Sequence, residues 1–466
     1  MRTTGNLLLR TDSYKFTHWK QYPPGTEQVY SYFESRGGKW PEVVFFGLQY
    51  YVKKYLEGPV VTRQAIDEAE EMVGRHFGDK SLFNRRGWEY LLWTHEGRLP
   101  LLIRAVPEGT PVPTHNVLMT VENTDPVCYW LPNYVETLLV QVWYGSTVAT
   151  QSREMRKLVL KYLERTGDPS LIDFKVHDFG FRGVSSVESA GVGGAAHLVS
   201  FRGTDTFEGI VVARDYYGEP MAGFSIPAAE HSTITAWGQS HEADAMRNML
   251  EQYPRGTIAV VSDSYDVFQA CEKIWGEALR ERVLGRDGCV VIRPDSGDPA
   301  TVLVTGRPNV LGILAERFGY TVNAKGYKVL DPHVRLIQSD GVNYEMLDYL
   351  LYAMQEAGFS ADNIAFGSGG GLLQQLNRDT LKFAFKCAAV VVDGQEREVF
   401  KNPVTDHGKR SKSGRMKLVK AEGPHGPTLE TVRLDQPGDD QLVEVFRDGR
   451  ITKDWSFAEI RQRAKT

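Results

Sequence analysis

The sequence predicts an α/β protein organised around a barrel of parallel strands, and two observations carry that prediction. From about residue 172, short continuous apolar runs recur with helix-like stretches between some of them. The runs are Ile172–Val176, His197–Phe201, Gly223–Ile226, Ile258–Val261, Val290–Ile292, Val334–Ile337 and Ile364–Phe366. Parallel strands covered on both faces read as unbroken apolar runs rather than alternating ones. Second, each run ends in polar, charged or glycine residues: HDFGFRG, RGTDT, PAAEHST, SDSYD, RPDSGD, QSDG and GSGGG. In an α/β barrel, chemistry collects in the loops at the strands' carboxyl ends. Those loops here hold Asp178, Arg182, Asp205, His231, Asp263, Arg293, Asp295 and Asp340. Helix capping accounts for one or two of these acids. It does not account for the set, because Arg293 and His231 are not capping residues.

At 466 residues the chain exceeds one ordinary domain, so two or three are expected. Lys+Arg 54 against Asp+Glu 59 leaves a net charge of −5, which argues against a protein devoted to wrapping nucleic acid. Cys128, Cys271, Cys289 and Cys387 form no CxxC pair, so neither a zinc ribbon nor a disulfide framework is indicated. No apolar run has the length of a membrane span, and LLL near the N-terminus is too short for a signal peptide's centre. A reducing, cytoplasmic setting away from membranes is expected.

Before the barrel, Asn6–Leu9 reads as a short strand and Val29–Phe33 as an alternating one. Residues 45–97 and 128–164 read as mostly helical, and residues 100–120 as short strands broken by proline turns. Asp12 reads equally as a helix cap or a site residue. His18, His76, His95 and His115 show no metal-ligand spacing. After Lys386 come strands, and a basic loop at Lys409, Arg410, Lys412 and Arg415 that reads as a solvated face. A hairpin at Asp448-Gly449 and a terminal amphipathic helix follow.

The densest chemistry lies in His177–Thr206, where Phe179, Phe181, Arg182, Arg202 and Asp205 stand among glycines too numerous for a packed helix throughout. Glycine lets backbone approach a ligand closely. Arginine presents a planar fork to phosphate or carboxylate, and an aromatic beside it can stack on a flat ring. The segment is expected to hold a planar ring beside a phosphorylated sugar. GVGGAA fits a loose dinucleotide pattern but follows no strand, so that reading is discounted. Gly367–Gly371 follows a strand, precedes a helix and contains no P-loop lysine, so it reads as a phosphate cradle of the barrel type. His231 suits acid–base work or nucleophilic attack on phosphorus. Asp263, Asp295 and Asp340 suit Mg²⁺ held with a diphosphate, or ribose hydroxyls.

Together, TDSYK, HDFGFRGVSS, GTDT, PAAEHSTITAWG, SDSYD, IRPDSG and AFGSGGGLLQ resemble the nicotinamide phosphoribosyltransferase family over nearly the whole chain. The resemblance implies an irregular α/β barrel packed against an α/β sandwich domain. Residues 1–171 would form the sandwich's N-terminal part with helical insertions, 172–385 the barrel, and 386–466 the return to the sandwich. It implies transfer of phosphoribose from 5-phosphoribosyl 1-diphosphate to nicotinamide in a homodimer with shared sites. Phe179 would stack on the pyridine, with Tyr14 of the second subunit on its other face. Asp205 would accept the amide N–H. Arg182, His231 and Arg293 would contact phosphate groups, and Asp263 and Asp295 the diphosphate–Mg²⁺ region and ribose. Ser339, Asp340, Gly369 and Gly370 would line the nucleotide phosphate site. Arg36, Arg378, Lys386 and Lys401 would close the site across a dimer interface, and Asp12 would also bind substrate. ATP would phosphorylate His231.

The sequence departs from the family at two places, Ser339 where glycine is usual and Phe181 where tyrosine is frequent. A side chain at 339 either crowds the phosphate or adds a hydroxyl contact. An ionised Asp205 repels a nicotinate carboxylate and attracts an amide N–H, which favours nicotinamide. The rivals are a nicotinate phosphoribosyltransferase, a non-catalytic binding protein on the same scaffold, and a barrel lyase. The lyase would need a Schiff-base lysine or metal cluster that the strand ends do not offer.

Overall fold

The structure, a computed structural model, describes residues 5–405, 410–423 and 426–465. The chain divides into two units, one of Met1–Thr150, Val212–Glu219 and Asn377–Thr466, the other of Gln151–Val211 and Pro220–Leu376. The boundaries expected at 171/172 and 385/386 therefore move to 150/151 and 376/377. The reason lies in the helix Val142–Thr166, whose second part bonds to barrel elements through Ser152 to His197, Arg156 to Asp173 and Tyr162 to Asp348. At the other end, strand Phe383–Val392 pairs along Thr26–Ser35 and so belongs to the first unit.

The first unit is built on a seven-stranded sheet with Thr26–Ser35 near its middle, antiparallel to both Phe383–Val392 and Val117–Asn123. Leu101–Ala105 and Val443–Arg447 continue it, each antiparallel to its neighbour. The strand Thr26–Ser35 is buried over most of its length, so YSYF packs on both faces. Asp448 and Gly449 take φ of +48° and +75° between the paired Arg447 and Arg450, as a two-residue hairpin turn requires. The terminal helix Phe457–Ala464 starts with a Ser456/Glu459 capping box.

Three local readings change. Leu7–Leu9 is a 3-10 helix capped by Asn6, whose side chain accepts from Leu8 N–H, rather than a strand. The basic loop is not a solvated face. Lys412 bonds Glu34 at 2.6 Å, and Arg415 bonds Glu122 at 2.6 Å while lying over the Tyr30 ring. Arg410 is exposed, and Lys409 lies outside the described residues. His95 is tied through space to Asp125, 2.8 Å away, with the Tyr90 hydroxyl on the same oxygen and Cys128 alongside. Linear spacing could not show partners thirty residues on.

The second unit is the barrel. Its strands are β1 Val176–Asp178, β2 Gly203–Thr204, β3 Ile258–Val261, β4 Val290–Arg293, β5 Val334–Gln338 and β6 Ile364–Ser368. They run in the order β2-β1-β6-β5-β4-β3, each parallel to its neighbour. The open edges are joined by the segment 223–229. Phe224 bridges Gly203 of β2, and Ala228 bridges Ala259 of β3. The run at Gly223–Ile226 thus closes the ring through two isolated bridges instead of forming a full strand. His197–Phe201 is the end of the helix Val187–Leu198 and the turn after it, and the strand proper is the shorter β2. Residues 169–174 form a 3-10 helix, so β1 starts only at Val176.

Part of the glycine-rich segment is a packed helix. Val187–Leu198 is capped by Ser186 and buried from Ala190 on. A Cβ on Gly209 would come within 2.6 Å of the Gly194 backbone, so these glycines let two helices touch. Inside the barrel, Ala259, Val291 and Ile337 form an apolar layer with Ile226 and Ala365 against it. Among the described residues no helix is long and apolar enough to cross a membrane.

Candidate active site

A polar cavity of about 680 Å³ opens at the carboxyl ends of the barrel strands. The residues on its wall follow strand ends in turn. Phe179 and Arg182 come after β1, and Asp205 after β2. His231 follows the closing segment, Arg293 and Asp295 lie at the end of β4, Ser339 and Asp340 follow β5, and Gly369 follows β6. The barrel thus brings together nine of the expected site residues, scattered over 190 positions of sequence from 179 to 369. A second cavity of about 450 Å³ occupies the barrel interior and is lined by the apolar layer together with Lys175, His177, Arg335 and Asp362. Phe179, Asp205 and Arg293 line both cavities and so mark their junction.

The local backbone explains the Phe179 ring. Its N–H donates to Ser368 O at 3.0 Å, which lays the chain after β1 along β6. A Cβ on Gly367 would sit 2.1 Å from the Phe179 ring, so only glycine leaves room for it. Sequence reading valued this glycine run for phosphate, and Gly367 was not singled out. Its signal was a glycine inside a strand, which marks close approach. The helix after it, Gly370–Leu373, is a single turn, so the contribution of Gly369 and Gly370 is space and N–H groups more than a long dipole.

Asp205 is exposed in the cavity and accepts a hydrogen bond from the Ser225 hydroxyl on Oδ1. Ser225 was also missed, because nothing in SIPAAEHST distinguishes it from a turn serine. Behind Asp205, burial pushes the Asp178 carboxyl up to about 7, against the pull of the Gly180 N–H, and the charge of Asp205 adds to the rise. Burial lowers the neighbouring His177, whose ring lies 6.2 Å from that of Phe179.

His231 Nε2 lies 3.1 Å from Asp263 Oδ1, and the Asp263 side chain is only 4% exposed. Asp263 is thus a carboxylate seated behind the histidine rather than on the cavity wall. Arg293 Nε lies 3.2 Å from Asp295 Oδ2 but forms no hydrogen bond there. Ser339 Oγ donates to Asp295 Oδ1, a hydroxyl contact within the protein.

The remaining expected residues lie in the first unit. Asp12 occupies the cap position of Ser13–Lys20 without capping it, and its Oδ2 accepts from Thr137. Tyr14 is 55% exposed. Arg36 is paired with Glu34 at 2.8 Å. Lys386 is lowered first by burial, and the charges of Arg36, Lys401 and Lys15 add to the fall. Arg378 and Lys401 are exposed.

Comparison with known proteins agrees with this geometry. A family model described as the nicotinate phosphoribosyltransferase family matches residues 174–450, and one described as the nicotinamide phosphoribosyltransferase N-terminal domain matches residues 6–103. A nicotinamide phosphoribosyltransferase of Xanthomonas campestris is 50% identical over 100% of this chain and 99% of its own length. One from Acinetobacter baylyi is 34% identical over 98% and 97%. Among solved structures, a nicotinate-nucleotide pyrophosphorylase of Pyrococcus furiosus superposes with a TM-score of 0.60 at 18% identity, covering 99% of this chain and 95% of its own. Human nicotinic acid phosphoribosyltransferase superposes with 0.56 at 18%, covering 98% and 93%. At such identity these two speak for the fold alone. The barrel lies in the part of the chain that matches the nicotinate phosphoribosyltransferase family. The chain belongs to the nicotinamide phosphoribosyltransferase family.

Proposed function

We propose that this chain transfers the phosphoribosyl group of 5-phosphoribosyl 1-diphosphate to the ring nitrogen of nicotinamide, giving nicotinamide mononucleotide and diphosphate. The observation that carries the reading is the junction of the two cavities. Phe179 and Asp205 line both cavities, and Arg182 and Arg293 line the polar one; a flat ring stacked on Phe179 would keep its amide toward Asp205 and turn its nitrogen to the polar cavity. The nucleophile is a neutral nitrogen that needs orientation and no base, which stacking and one hydrogen bond supply. The barrier lies in separating the sugar carbon from an anionic leaving group, so cations beside the diphosphate do the electrostatic work.

Mg²⁺ and ATP belong to the proposal as well. The wall offers Asp295 and Asp340, and Mg²⁺ characteristically takes one or two carboxylates together with substrate phosphates. Bound there it would neutralise charge on the diphosphate. Arg293, on the same wall, suits the same anion through its terminal guanidinium nitrogens. His231, its Nε2 engaged by Asp263, keeps Nδ1 as the nitrogen with a free lone pair for attack on the terminal phosphorus of ATP. Bond formation at that nitrogen and departure of ADP would leave a phosphohistidine. The first unit's cations Arg36, Arg378, Lys386 and Lys401, with Asp12 and the exposed Tyr14, are proposed to serve the site of a second subunit in a cytoplasmic homodimer. An active monomer by sedimentation would contradict that part.

The test is direct. Purified protein with Mg²⁺, nicotinamide and 5-phosphoribosyl 1-diphosphate should form nicotinamide mononucleotide and release diphosphate in equal amounts. Failure to release diphosphate would favour a binding protein on this scaffold.

A further inference from the structure

Ser339 and Asp295 are neighbours by topology. Strands β4 and β5 run parallel with Val290 beside Val334, Val291 beside Arg335 and Ile292 beside Leu336. Carrying that register past the strand ends places residue 339 beside residue 295. The contact is made, with Ser339 Oγ donating to Asp295 Oδ1. The other oxygen, Oδ2, lies 3.2 Å from Arg293 Nε without completing a hydrogen bond. The Asp295 carboxylate is therefore shared between two strand ends, and both its neighbours face the polar cavity.

We infer that Ser339 is a positioning residue that limits the Asp295–Arg293 ion pair to its single Nε contact, so that the terminal guanidinium nitrogens stay available for the diphosphate of the substrate. The inference rests on the proposed reaction. An arginine and an aspartate two residues apart can close into a two-bond ion pair. In this site such a closure would consume the donors meant for the leaving group and turn the carboxylate from the cavity. A hydroxyl on the adjacent strand competes for one carboxylate oxygen and prevents it. Glycine or alanine at 339 has no donor there.

The test compares Ser339→Ala and Ser339→Thr with the unaltered protein. Ser339→Ala should raise KM for 5-phosphoribosyl 1-diphosphate on the order of tenfold, about the weight of one hydrogen bond to a charged group. KM for nicotinamide should stay within about twofold, since its contacts are untouched. Ser339→Thr, which keeps the hydroxyl, should restore most of the loss. Calorimetry with inorganic diphosphate and the free protein gives a readout independent of turnover, and binding should weaken by a similar factor in Ser339→Ala alone. Unchanged or tighter diphosphate binding in Ser339→Ala would overturn the inference, the latter by showing that the side chain crowds the phosphate. If the unaltered protein bound diphosphate but did not use nicotinamide, the reaction assigned to the site would fail while the diphosphate comparison would still decide the role of Ser339.

Discussion

His231 Nε2 stands 3.1 Å from Asp263 Oδ1, the carboxylate buried and the imidazole half exposed to the cavity. A carboxylate accepts only, so in the neutral ring this contact favours the proton on Nε2 and the lone pair on Nδ1. Asp263→Asn replaces an acceptor with a group that can donate, which favours the opposite tautomer. Phosphorylation of His231 by ATP should then fall at least about 100-fold, by analogy with tautomer loss in other His–Asp pairs. Mass spectrometry of the ATP-treated variants checks this, with His231→Ala as the blank. Asp263→Asn labelled as fast as the unaltered protein would separate the pair from the chemistry.

Gly367→Ala tests the seat of Phe179. The added Cβ would lie 2.1 Å from the ring, nearer than any contact tolerates, so the ring must move. KM for nicotinamide should rise about tenfold or more, while diphosphate binding measured by calorimetry stays close to that of the unaltered protein. A parallel loss of both would mean that the barrel end, and not the stacking surface, had been damaged.

Ser225→Ala should reduce discrimination between nicotinamide and nicotinate through Asp205. With the hydroxyl gone, Oδ1 of Asp205 loses its partner and the carboxylate is free to rotate. The preference for the amide, as a ratio of kcat/KM values, should shrink several-fold, the scale of a single hydrogen bond. An unaltered ratio would show that Asp205 is oriented by its backbone alone.

Asp178 gives a pH signature. Its carboxyl is raised from 3.8 to about 7, first by burial. A raised acid binds its proton more tightly in the folded state, so its stabilising contribution is full below about pH 4 and is lost as pH rises to about 7. The span of roughly three pKa steps corresponds to about 4 kcal/mol. Asp178→Asn, neutral at every pH, should flatten the fall in melting temperature between pH 4 and 7. An identical pH profile in the variant would place the titration elsewhere.

The parallel strands β3 to β6 were legible because burial on both faces writes them as unbroken apolar runs. The failures have a common physical origin. His197–Phe201 has the same composition as a buried strand but ends a buried helix, and over five residues periodicity cannot separate the two. The segment at Gly223–Ile226 closes the ring through single bridges at Phe224 and Ala228, a pairing set by curvature that no local pattern encodes. At the site, most of the residues proposed to meet substrate stand out by their charge after strand ends. The residues that hold them, Gly367 under Phe179 and Ser225 beside Asp205, are small and common, and their meaning exists only across strands.

The central claim is that Phe179 and Asp205, at the junction of the two cavities, select an uncharged pyridine amide. The measurement is kcat/KM for nicotinamide and for nicotinate, each with saturating 5-phosphoribosyl 1-diphosphate and Mg²⁺, for the unaltered protein and Asp205→Asn. A strong preference for nicotinamide that collapses in Asp205→Asn is expected. Preference for nicotinate, or a preference for nicotinamide indifferent to residue 205, would contradict it.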